Sequence, residues 1–114
     1  MNVKELNVNE IIPTSKDFDR AEGLRWQGRT FKGDNSGFVS QANKMTKLIK
    51  DPIKLVQRSK AVAIEYGTFD FFELPPGHSI APDTNVWRPF HQALVKFGFT
   101  YQQIKDIALA ADNR

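Results

Sequence analysis

The stretch Phe90–Ile107 constrains the fold of this chain most. Phe90, Ala93, Leu94 and Phe97 recur at spacings of three and four, which places them on one face of a helix. Gly98 then interrupts the pattern. Thr100 is followed three residues later by Gln103, the pairing of a capping box, in which each side chain bonds the other's backbone N–H. Ile104, Ile107, Ala108 and Ala111 continue as a second apolar stripe. The spacing predicts two helices joined by a glycine turn. Pro89 must lie in the first turn of the first helix, because deeper in it the ring would clash and a backbone bond would be lost. Asn85 or Arg88 is therefore expected to cap it.

The rest of the chain also reads as helices with readable ends. Met1–Thr14 is polar with scattered Val3, Leu6, Val8, Ile11 and Ile12, and is read as an extended N-terminal arm. Ser15 is an N-cap, with Asp17 and Asp19 in the first turn where the helix dipole favours acids. Gly23 closes that helix, giving Lys16–Glu22. Leu24–Asn35 is Gly-rich and basic and reads as a loop. Ser36–Lys50 carries the stripe Phe38, Ala42, Met45 and Ile49, capped by Asn35 or Ser36. Asp51 followed by Pro52 opens another helix, which runs to Gly67. Its apolar residues go most of the way round, as in a central helix. A rival reading pairs Ala61–Tyr66 with Phe69–Leu74 as a β-hairpin, because Val62, Ile64 and Tyr66 alternate. Phe69–Leu74 is otherwise a short helical turn, ended by Pro75-Pro76-Gly77, and Pro75–Asp83 is a loop. The expected fold is a single mainly α-helical domain, residues 1–114, of five or six helices, with α+β and a hairpin at 61–74 as the alternative. Phe38, Met45, Ile49, Phe90, Leu94, Phe97, Ile104 and Ile107 are the expected core.

Composition excludes several kinds of chemistry. With no cysteine there are no disulfides, thiol catalysis or cysteine-ligated metals. No apolar run approaches the roughly 20 residues that span a bilayer. Met1–Pro13 lacks a basic region followed by an apolar block, so no secretory leader is expected and the chain reads as cytoplasmic. His78 and His91 are the only histidines and do not have metal-ligand spacing. Ser79, Asp83 and His91 lack the nucleophile elbow that would make a triad meaningful. Gly23, Gly28 and Gly33 are not followed by the Lys-Ser or Lys-Thr pair of a phosphate loop. No enzyme, cofactor or metal is expected.

The net charge is only +3, but its distribution is uneven. Lys44, Lys47, Lys50, Lys54, Arg58 and Lys60 fall in one run with Asp51 the sole acid. This is either a solvated helical face or a phosphate-contacting surface. Trp26, between Arg25 and Arg29, is either a plug that anchors a loop or a platform that stacks a base.

Phe90–Ile107, with its glycine at 98 and its capped second helix, resembles DNA-binding helix-turn-helix proteins over about 18 of the 114 residues. It departs from them where Leu94 stands four before the glycine, a place usually held by a small side chain; Ala93 is one place earlier. The resemblance implies a small DNA-binding protein, of a regulatory kind. Its second helix would supply Thr100, Tyr101, Gln102, Gln103 and Lys105, and glutamine and lysine suit adenine and guanine edges. Lys44, Lys47, Lys50, Lys54 and Arg58 would hold phosphates. The expected partner is double-stranded DNA, with a homodimer as an option. The other reading is an adaptor or inhibitor that binds another protein through an aromatic surface around Trp26 and Trp87.

Overall fold

The computed structural model describes residues 2–29, 36–66 and 87–110, and of residues 25–29, 36–38 and 66 the backbone alone. Among the described residues there are five α-helices: α1 (Ser15–Arg29), α2 (Ser36–Leu48), α3 (Pro52–Tyr66), α4 (Arg88–Phe97) and α5 (Tyr101–Ala108). Two 3-10 turns, Val3–Glu5 and Val8–Glu10, precede them. Among the described residues there is no strand, so the protein is mainly helical.

α3 is the central element and packs against α1, α4 and α5. Asp51 Oδ1 accepts from the Ile53 N–H at 2.9 Å and Pro52 fills the first helical position, as the sequence predicts. Ala61, Val62 and Ala63 are all buried. Three consecutive buried residues do not fit a half-buried strand, in which alternate side chains face water. The hairpin alternative thus loses its first strand to the end of α3; Phe69–Leu74 lies outside the described residues.

The first helix differs from its expected form. α1 does not stop at Gly23 but runs through it to Arg29, so residues 24–29 are helical rather than loop. Asp17, Ala21 and Leu24 lie on one face and are buried, and α1 packs on α2 and α3. Burying Leu24 outweighs the roughly 1 kcal/mol by which glycine disfavours a helix. The cap sits one residue earlier than expected. Thr14 donates from its N–H and its Oγ1 to Asp17 Oδ2, both at 2.8 Å, and its carbonyl accepts the first backbone bond. A Cβ added at Gly23 would meet no atom within 4 Å. Gly23→Ala is therefore expected to stabilise the fold by about 0.5–1 kcal/mol, read as a raised denaturation midpoint.

The N-terminal segment is not an extended arm. Asn2 and Asn7 accept from the N–H groups two residues on and start the two 3-10 turns. Val8 is buried, and Val3, Leu6 and Ile11 pack partly against the core. Gln57 Nε2 and Lys60 Nζ of α3 donate to the carbonyls of Ile12 and Ile11, at 3.2 and 2.8 Å.

The C-terminal hairpin forms as its punctuation predicts. α4 starts after Trp87 rather than Asn85 or Arg88, and Pro89 lies in its first turn. Gly98 has φ +99°, the left-handed conformation that glycine adopts without strain. Its N–H and that of Phe99 bond the carbonyls of Val95 and Leu94. Thr100 and Gln103 complete the capping box on α5. Of the expected core, Ile49, Phe90, Leu94, Ile104 and Ile107 are buried; Met45 and Phe97 are half-buried. The side chain of Phe38 lies outside the described residues. Trp87 is buried at 1% exposure, joined by Leu55, Val56 and Val62 of α3. It therefore provides no exposed aromatic surface, and the side chain of Trp26 lies outside the described residues.

His91 stacks on Trp87 with ring centroids 5.8 Å apart. Burial, and then the nearby Arg88, hold its pKa below the ordinary value of 6.5. Between the folded and unfolded pKa values the unfolded chain binds more protons, so stability falls as pH drops below about 6.5. His91→Gln is expected to flatten that acid-side loss in denaturation curves taken across this window.

Candidate nucleic-acid interface

The residues expected to touch DNA fall into two groups, one on α5 and its cap and one on α2 and α3. On α5, Tyr101 is 70% exposed and Gln102 is exposed. The Gln102 Nε2 donates to Asp106 Oδ1 at 3.0 Å, one turn on. Thr100 is half-buried and its hydroxyl accepts from the Gln103 N–H at 3.2 Å. Lys105 is half-buried.

Gln103 does not face outward, which corrects its expected role as a reader of bases. It is 8% exposed. Its Oε1 accepts from the Thr100 N–H at 2.9 Å, and its Nε2 donates to the carbonyls of Val3 and Leu6 at 2.7 and 3.0 Å. The acceptor and both donors of the amide are engaged, so no base edge can use them. The sequence shows the capping half of this role; the carbonyls it also holds lie near the other end of the chain.

The basic run also divides. Lys44, Lys47, Lys50 and Lys54 are exposed. Lys60 is buried with its ammonium on the Ile11 carbonyl, so it is not part of a basic surface. Burial lowers its pKa and Asp106 of α5 partly offsets this. Arg58 points the other way, with its Nε 3.8 Å from Asp17 Oδ1 of α1. Its pKa is lowered by burial and by neighbouring Arg20, and raised by Asp17. Residues two apart on a helix point about 200° apart. α3 therefore has the α5 side at Lys60 and the α1–α2 side at Arg58. Lys54, one turn before Arg58, shares the latter side. α2 packs on α1 and α4, whereas α5 packs on α3 and the second 3-10 turn. Tyr101 and Gln102 thus stand on a helix whose main packing partners differ from those of α2, which carries Lys44, Lys47 and Lys50.

The cations of α2 gather partners that the sequence reading did not single out. Between α2 and α4 runs a groove of about 230 Å³, bordered by Lys47, Lys50, Lys96, Asn43 and Gln92 over a floor that includes Ala93 and Phe97. Between α1, α2 and α3 lies a second groove of about 540 Å³, bordered by Arg20, Lys44, Arg58 and Gln41, with Met45 and Leu48. Among the described residues no carboxylate lines either groove. Arg20 and Lys96 lacked a local signal, since they come from α1 and α4 and join the lysines only through packing.

Among the described residues no cluster of three His, Asp or Glu side chains could hold a metal, and no helix is long and apolar enough to cross a membrane. Of the triad considered in the sequence, Ser79 and Asp83 lie outside the described residues, as does His78. Among the described residues the exposed large apolar side chains, Ile12, Leu48, Val95 and Tyr101, stand on four different segments. Comparison of the chain with protein-family models, with curated proteins and with solved structures gives no significant match.

Proposed function

We propose that this chain is a small DNA-binding protein whose phosphate-contacting surface is the α2 side of the molecule. One observation carries the reading. Arg20, Lys44, Lys47, Lys50, Arg58 and Lys96 border two grooves that flank α2, and among the described residues no carboxylate lines either one. Arg58 is paired with Asp17, but no carboxylate among the described lining residues offsets the exposed Lys44, Lys47, Lys50 and Lys96, so an approaching polyanion finds them available. Cationic side chains on such a surface displace the counterions condensed on the duplex into solution, and this release supplies affinity that is independent of sequence. The protein-binding alternative has less support, because Trp87 is buried and the exposed large apolar side chains among the described residues stand on four different segments.

The test is duplex binding by fluorescence anisotropy at two salt concentrations. With four or five phosphate contacts, affinity is expected to fall on the order of 10²–10³-fold between about 50 and about 200 mM salt. Lys50→Ala or Lys96→Ala should each flatten the logarithmic salt slope by about 0.9 and weaken binding to all sequences alike. Binding that is undetectable at low salt, or indifferent to these substitutions, sinks the idea.

A further inference from the structure

The exposed side of α2 has a crest and two flanks. Ser40, Lys44 and Lys47 share one helix face and are all exposed, while Ala42, Thr46 and Ile49 are buried behind them. On one flank Asn43 and Lys50 border the groove shared with Lys96 of α4. On the other, Gln41 and Leu48 border the groove shared with Arg20 and Arg58. The cations beyond the crest therefore lie on both sides of it, Lys50 just past the end of α2 and Arg20, Arg58 and Lys96 on neighbouring helices. This is the arrangement that a B-form major groove requires. The groove is about 12 Å wide, admits one α-helix, and has a phosphate strand along each rim.

α5 lacks these features. Its exposed amide, Gln102, is held by the carboxylate of Asp106, and Gln103 is turned inward. Resting on the DNA-binding reading above, we propose that α2, not α5, is the helix that enters the major groove of duplex DNA. Lys44 and Lys47 face the base edges, where lysine donates to the O6 and N7 of guanine. Arg20 and Arg58 meet the phosphates of one rim, Lys50 and Lys96 those of the other. Leu48, an apolar side chain 78% exposed beside the crest, lies where a thymine methyl group would cover it.

The chain contains no cysteine, so a single introduced thiol reports its own surroundings. Leu48→Cys and Tyr101→Cys place that thiol on α2 and on α5, at side chains that are both exposed. Each variant is treated with a small polar alkylating reagent, alone and with a pool of random-sequence duplexes. With duplex at about ten times its Kd, the thiol at position 48 is expected to be protected about tenfold and that at 101 not at all. Ser40→Cys gives a second reading of the crest if the change at 48 itself weakens binding. Protection at 101, or protection at no position in a chain that binds, overturns the proposal. Absence of binding by the unsubstituted chain overturns the DNA-binding reading itself, and this inference with it.

A second measurement tests groove entry. A duplex enriched from the random pool by the unsubstituted chain should lose its advantage over the pool by about fivefold to a hundredfold on Lys44→Ala or Lys47→Ala. Gln102→Ala should leave that advantage unchanged. Loss of discrimination with Gln102→Ala alone, or no enrichment at all, defeats the assignment.

Discussion

Phe90→Ala is expected to destabilise the protein by about 3–5 kcal/mol, a large part of the roughly 5–15 kcal/mol that holds a domain of this kind folded. Phe90 has no exposed surface and belongs to the cluster built from Trp87, Leu94, Ile104 and Ile107 with Leu55, Val56 and Val62. Removing its ring loses the transfer energy of the buried carbons. It also leaves a cavity that helices fixed by a proline start and a glycine turn cannot readily close. Chemical denaturation should show a lower midpoint at an unchanged slope. A loss below about 1 kcal/mol would mean that this face of α4 is not packed in the core. Phe97 makes the contrast. The sequence stripe treats the two phenylalanines alike, but Phe97 is half-buried and lines the groove beside Lys96. Phe97→Ala is accordingly expected to cost less than Phe90→Ala.

The parts of this fold that could be read in advance are those whose cause is local. Asp51 with Pro52, Gly98, and Thr100 with Gln103 each satisfy or free backbone groups within a few residues, so their chemistry is present in the sequence itself. The course of α1 was not legible, because glycine at 23 and 28 argues locally for a stop. What carries the helix onward is the burial of Leu24 against neighbouring helices, which is a long-range effect. Lys60 failed in the same way. A lysine in a basic run reads as solvated, yet its ammonium satisfies a backbone carbonyl 49 residues earlier in the chain. The candidate site was half legible for the same reason. Lys44, Lys47 and Lys50 are neighbours in sequence, while Arg20 and Lys96 reach them only when α1 and α4 pack beside α2.

Gln103 and Gln102 stand side by side in the sequence with the same chemistry, and the structure predicts opposite consequences for removing them. Gln103→Ala takes away the acceptor for the Thr100 N–H and the donors for the carbonyls of Val3 and Leu6. Those backbone groups must then find water or remain unpaired, and a buried polar group left without a partner costs about 1–3 kcal/mol. Water reaches some of these groups when the first 3-10 turn lifts from α5, so the expected total is about 2–4 kcal/mol rather than a sum over three full penalties. The same lifting should speed amide hydrogen exchange across residues 3–6, which marks the N-terminal turn as the part released. Gln102→Ala removes only an exposed bond to Asp106, and its stability should change by no more than about 0.5 kcal/mol. Equal effects from the two substitutions, or faster exchange confined to α5, would show that Gln103 does not tie the two ends of the chain together.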